Sequence, residues 1–240
     1  MPESVVQAGS ICVLRDLGRM PYGEAFELQR ELVEKRKRCE IPDQLLIVEH
    51  PPVITMGRNG HDENLLAAPD ILARAGIDFH HTDRGGDVTF HGPGQVVGYP
   101  IFDLREWKRD VVAYIRALEE VLIEALAEFG PPGSRLQGAT GVWVSTPGGP
   151  AKIAALGVHI SRWVTSHGFA LNVDADLSYF RYIVPCGLTK PVTSMRELGL
   201  TAKREEVIAA LARSFGRVFG REMSAQPARD VVGKGTVEKL

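Results

Sequence analysis

Cysteine is scarce: three in 240 residues, Cys12, Cys39 and Cys186, far apart and without a CxxC spacing. An odd, scattered set excludes a disulfide framework or a zinc knuckle and points to a reducing, cytoplasmic compartment. An excess of either charge is also missing. Lys plus Arg number 28 and Asp plus Glu 30, a net charge of −2 with His neutral. Nucleic-acid-binding domains are usually strongly basic, so no nucleic-acid partner is expected. Long apolar runs are absent as well. The longest charge-free stretch, residues 136–151, is broken by glycines and prolines, and no membrane span is read. The opening MPESVVQAGS carries an early acid and no basic segment ahead of an apolar one, so no signal peptide is read there. There is no HExxH, no GxSxG and no P-loop, and no GxGxxG opens a helix.

What is present is an ordinary globular composition, 44% hydrophobic and 24% charged, with glycine abundant at 25 residues. The length suits one α/β domain, and such a chain buries roughly 70–75% of its unfolded surface without staples. Three segments have helical period. They are 24–38, with a basic end; 111–129, stopped by Gly130-Pro131-Pro132; and 204–219. Strand runs lie at 45–49, 53–56, 77–82, 95–102, 141–145, 152–160 and 169–173. Three of these follow one another with no helix between them, and Thr146 to Pro150 reads as a hairpin turn. The pattern predicts an α/β fold of the α+β type, a mixed or antiparallel sheet flanked by helices. The tail after about residue 221 is polar and unpatterned, and little packing is expected of it.

Position matters more than number for the glycines. Arg84 to Gly98 reads RGGDVTFHGPGQVVG, with five glycines in fifteen residues. Such a loop brings main-chain N–H groups close to a ligand, and Arg84 and His91 add side-chain donors. Ligand contact is favoured over a plain turn. Lys152 opens the strand-like KIAALGVHI and by alternation shares a face with Ala154, Leu156 and Val158. It is either snorkelling at the strand end or held in a cleft. Cys186 stands between Pro185 and Gly187 in a turn, where a thiol can be exposed. Cys12, in an apolar run, reads as a buried small hydrophobe. Adjacent His80 and His81 face opposite ways on a strand, which is poor metal geometry, and no metal site is read.

Three segments taken together, RGGDVTFHGPGQVVGYPIFDL, AKIAALGVHISRWVTSHGFALNV and VPCGL with VTSM, resemble the octanoyltransferases of lipoate biosynthesis. LLIVEHPPVITMGR (residues 45–58) also fits, and the resemblance spans roughly residues 14–198. His159 is a departure, standing where a basic Arg or Lys is expected. The resemblance implies a single catalytic domain over residues 1–240, with a mixed, mainly antiparallel sheet like that of biotin and lipoate protein ligases. It implies that Cys186 takes an octanoyl group from octanoyl-acyl carrier protein as a thioester. The ε-amine of a lysine on a lipoyl domain then attacks, on 2-oxoacid dehydrogenase complexes or the glycine cleavage H protein. Lys152 would favour the Cys186 thiolate and relay protons. No cofactor is implied, and a monomer is expected. The substrate-binding residues implied are Arg84, Gly85, Gly86, Asp87, Val88, Thr89, Phe90 and His91, then Ala155, Leu156, Gly157, Gly168, Phe169 and Ala170. Six internal methylenes of an octanoyl chain are worth on the order of 5 kcal/mol when buried, at ~0.8 kcal/mol each. An ATP-dependent lipoate or biotin ligase and a non-catalytic carrier-protein binder are the alternatives.

Overall fold

The computed structural model describes residues 10–130, 132–184 and 190–225. The periodic segments fold as helices α1 (Tyr22–Lys37), α3 (Val111–Ala127) and α4 (Arg204–Phe219), joined by a short α2 (Pro69–Arg74). Asp110 caps α3 by accepting from the Ala113 N–H at 2.9 Å, and Gly220 ends α4 with φ +63°. The six residues of α2 carry too little period to be legible in sequence.

The strands are β1 (Ile11–Arg19), β2 (Asp43–Glu49), β3 (Val53–Met56), β4 (Asp78–His81), β5 (Val88–His91), β6 (Gln95–Ile101), β7 (Ser134–Leu136), β8 (Ala139–Thr146), β9 (Gly149–Ser161), β10 (Val164–Asn172) and β11 (Glu222–Ala225). Eight form one sheet in the order β11-β1-β2-β6-β10-β9-β8-β7, and β4-β3-β5 form a second. In the large sheet only β11–β1 and β1–β2 run parallel. The remaining pairs are antiparallel. The expected fold is therefore met: a mixed, mainly antiparallel sheet with helices on it. The sequence reading did not include β1, β7 or α2, and two further details differ. Residues 84–98 are not one loop, because the β-branched and aromatic run Val88–His91 pairs with β3 as a strand. The tail is not wholly loose, because residues 222–225 pair with β1, where edge N–H and C=O groups offer partners that a polar run can use.

The large sheet is covered on both faces. Helices α3 and α4 bury one face with Phe102, Leu118, Leu122, Ile153, Phe169, Leu211 and Phe215. Helix α1 covers part of the other with Ala25, Leu32 and Val33 against Leu46, Val97 and Tyr99. The small sheet packs Ile54, Val88 and Phe90 on Leu72 and Ile183. Between α1, the small sheet and the strands β9 and β10, the α1 face of the large sheet is left open.

Candidate active site

Small residues make the opening. Ala155 pairs with Ala170 and Gly157 with Gly168 across β9 and β10. This strip of missing side chains floors a cleft walled by Tyr22, Arg84, Thr89, His91, Tyr99 and His167. Gly157 has no room for more. A Cβ there would lie 2.9 Å from the Gly85 carbonyl oxygen and 3.2 Å from Arg84 Cδ. A second chamber shares the wall of Thr89, Ala155 and Ala170 and runs on to Gln95, Lys152, Asn172 and Phe180.

A β-bulge brings Lys152 into that chamber. Val142 pairs with Ala154 but Trp143 with Lys152, so Ile153 is one residue too many on β9. Ile153 and Ala154 both enter the α3/α4 core, while Lys152 and Ala155 both line the chamber. The alternation that put Lys152 beside Ala154, Leu156 and Val158 is corrected accordingly. Gly141, at φ +125°, permits the arrangement, since a Cβ there would meet Ala154 O at 2.8 Å and Lys152 Cε at 3.2 Å. Lys152 is 8% exposed and its Nζ lies 4.8 Å from the centroid of the Trp143 ring. It is held in a cleft rather than snorkelling. Its main-chain N–H donates to Pro191 O at 2.8 Å, and its carbonyl accepts from the Thr193 N–H at 2.9 Å.

Cys186 lies outside the described residues, as do Pro185 and Gly187. The chain on either side of that segment is anchored. The Val184 N–H donates to Asn64 O at 2.8 Å, and Pro191 and Thr193 bond to Lys152.

The glycine loop is held rather than free. Arg84 is buried, its Nε and Nη2 donating to Thr55 Oγ1 and its Nη2 to Thr55 O at 2.7 Å. The Gly85 N–H donates to Val158 O at 2.9 Å. Gly86 has φ +86° and its carbonyl accepts from the Asn59 N–H. The Asp87 carboxylate accepts from the N–H groups of His61 and Val88 and from Asn64 Nδ2. It organises the loop and does not line either chamber. On β5, Thr89 and His91 face the cavity while Val88 and Phe90 belong to the small-sheet core, with Phe90 reaching the lysine chamber. Leu156 and Phe169 touch the cavity from the far face, their side chains packed into the α3/α4 core.

Sequence reasoning did not single out Tyr22, His50, Tyr99 and His167: the last three lie within the family-like segments, but the four come together only in the fold. Each has a hydrogen-bond partner, His50 and Tyr99 in one another, Tyr22 in Thr82 and His167 in Asp83. His50 donates from Nδ1 to Met20 O at 2.7 Å and accepts the Tyr99 hydroxyl at Nε2, at 2.8 Å. Tyr22 donates to Thr82 Oγ1. Burial pushes His50 down to about 4 and His91 well below the usual imidazole value, so both are neutral. His91 donates from Nδ1 to Gln95 Oε1, and Gln95 Nε2 donates to Asn172 Oδ1. Asn172 Nδ2 donates to Thr193 O. One network thus ties the tyrosine-histidine chamber to the main chain beside Lys152. Among the described residues no cluster of His, Cys, Asp or Glu could hold a metal ion.

The model of the lipoyl protein ligase A/B catalytic domain matches residues 21–216. An octanoyltransferase from Solibacter usitatus is 62% identical over 212 residues, 88% of this chain and 94% of the relative. One from Acidobacterium capsulatum is 50% identical over 226 residues, 88% and 91% of the two. The chain belongs to the octanoyltransferase family. It is an acyltransferase, and solved structures show the fold this family uses here. An archaeal bipartite lipoate protein ligase from Thermoplasma acidophilum gives a TM-score of 0.71 at 16% identity, over 92% of this chain and 87% of that one. A biotin protein ligase from Aquifex aeolicus, in complex with biotin and ATP, gives 0.53 at 14% identity, over 88% and 70%. The octanoyltransferase chain thus builds its cleft on a ligase-like sheet. No helix among its described residues is long and apolar enough to cross a membrane.

Proposed function

We propose that this acyltransferase moves an octanoyl group from octanoyl-acyl carrier protein to a lysine of a lipoyl domain through a thioester on Cys186. The supporting observation is Lys152: a buried lysine in the chamber that shares the Ala155 and Ala170 wall of the cleft, bonded through its main chain to the residues that follow the Cys186 segment. The Cys186 thiolate adds to the carrier thioester carbonyl, and the carbon–sulfur bond to the pantetheine thiol breaks. Lys152 supplies the proton that this thiol takes up. The acceptor amine then attacks the Cys186 thioester carbonyl, the acyl carbon–sulfur bond breaks to release the Cys186 thiolate, the amide forms, and the amine proton returns to Lys152. The acyl tail lies on the Ala155, Gly157, Gly168 and Ala170 floor. No cofactor enters. The acceptors are lipoyl domains of 2-oxoacid dehydrogenase complexes and the glycine cleavage H protein. The chain acts as one domain and a monomer in the cytoplasm.

Incubation with octanoyl-acyl carrier protein, without ATP, is expected to add one octanoyl mass to the intact enzyme. Cys186→Ala removes the adduct. Lipoyl-domain octanoylation that needs ATP, or that survives Cys186→Ala, sinks the proposal and favours the adenylating ligase.

A further inference from the structure

Beyond the tyrosine-histidine chamber, one layer of side chains away, an outer groove runs along α1, lined among others by Phe26, Gln29, Asp83, His159 and Ser166. The dividing layer is Phe26 and His167, whose rings stack with centroids 5.4 Å apart. Tyr22 stacks on Phe26 at 6.1 Å, and Tyr99 meets His167 edge-on at 6.4 Å.

His167 reaches this place against the habit of its strand. Thr165 bonds to Tyr114 on the α3/α4 side and Phe169 packs there, so alternation would send His167 the same way. Instead its φ is +55°, a left-handed conformation that a residue with a Cβ resists, and the ring lines the chamber on the α1 face. The surrounding structure pins it there. Its main-chain N–H, opposite a break in the β6–β10 ladder, donates to Gln29 Oε1 at 2.8 Å. Its Nε2–H donates to Asp83 Oδ1 at 2.7 Å. A strained residue held by so many partners at the end of a cavity points to a positional role.

Length supports one such role. From Ala155 to Val158, the cross-strand partner of His167, β9 advances about 10 Å at ~3.4 Å per residue. An extended octanoyl chain spans roughly 9 Å from standard bond lengths and angles. With the thioester carbonyl beside Ala155, where the lysine chamber meets the cavity, the terminal methyl meets His167 of the Phe26–His167 layer.

We propose that the Phe26–His167 layer is the end stop that sets acyl-chain length, His167 facing the chamber and Phe26 backing it from the groove side. The inference rests on the octanoyl-transfer reading given above. A longer chain must swing this layer aside or leave its last methylenes outside apolar surroundings, at about fourfold in binding for each.

The test compares kcat/KM for six-, eight-, ten- and twelve-carbon acyl-carrier thioesters in wild type, Phe26→Ala, Phe26→Trp and Glu24→Ala. Glu24 is exposed on α1 and lines neither cavity. Phe26→Ala is expected to raise the twelve- to eight-carbon ratio at least tenfold. Phe26→Trp raises the six- to eight-carbon ratio, and Glu24→Ala changes neither. Unchanged ratios in both Phe26 variants, with transfer intact, overturn the end stop. If even wild type transfers no acyl group, the underlying reading has failed, and binding still reads the stop. Dodecanoate should then raise the melting temperature of Phe26→Ala more than that of wild type. Equal shifts overturn it.

Discussion

The two faces of the β9–β10 pair are built to opposite rules. Toward α3 and α4, the side chains Ile153, Leu156, Phe169 and Leu171 fill the space. Toward α1, Ala155, Gly157, Gly168 and Ala170 leave it open, and the walls are tyrosines and neutral histidines. Apolar burial holds the first face at ~25 cal/mol per Å². The second gives up that gain to keep a cleft, and uses a hydrogen-bonded ring network to hold its walls. Packing and function are thus divided by one strand thickness, and alternation along two strands does most of the dividing.

That contrast can be broken at its most sensitive point. Lys152→Ala, on the open face, is expected to lower single-turnover transfer by about 10²- to 10⁴-fold, the usual worth of positioned proton transfer. Its urea transition should stay cooperative. A rate within threefold of wild type would remove Lys152 from the chemistry.

Phe169→Ala, on the filled face and 2% exposed, should behave in the opposite way. It is expected to cost about 3–5 kcal/mol in urea-unfolding free energy, with transfer per folded molecule nearly kept. A stable but inactive variant would mean that the faces are not separable.

The histidine wall predicts a pH dependence. His50 lies at about 4 in the folded chain against an ordinary 6.5, so the unfolded state binds the extra proton between those values. Stability is therefore complete above about pH 6.5 and falls as pH drops toward 4, by about 3 kcal/mol from this residue. His50→Gln should flatten the slope of stability against pH in that window, and an unchanged slope would count against a neutral His50.

Gly157→Val sharpens the comparison from the open side. Its Cβ meets the Gly85 carbonyl, so loop and floor must part, and transfer should fall roughly 100-fold, as for a 1 Å misplacement. Unfolding free energy should change less than in Phe169→Ala. Equal losses of stability would show that both faces serve packing alike.

Much of this was legible in the sequence. The helices 111–127 and 204–219 announce themselves by period, and the strands at 45–49, 53–56 and 95–101 by β-rich runs between turn residues. The three Gly- and Cys-bearing segments pointed to the family, and the glycine loop and the 155–157 and 168–170 strips do line or border the cleft. What stayed hidden has a common cause. Tyr22, His50, Tyr99 and His167 lie on separate elements and meet only when α1 crosses β6 and β10. The resemblance made Asp87 a binding residue, but its carboxylate is spent on the N–H groups of His61 and Val88 and on Asn64 Nδ2.

The sequence by itself determined most of the elements, the family and the residue types available for chemistry, because periodicity and local motifs are written along the chain. Tertiary structure decided which way they face. One extra residue, Ile153, turns Lys152 from the core to the cleft, and one left-handed residue, His167, turns its ring from core to wall. Both reversals depend on partners distant in sequence, Gly141 and Val142 for the first and Gln29 and Asp83 for the second. Period-2 reasoning along a single strand sees none of them.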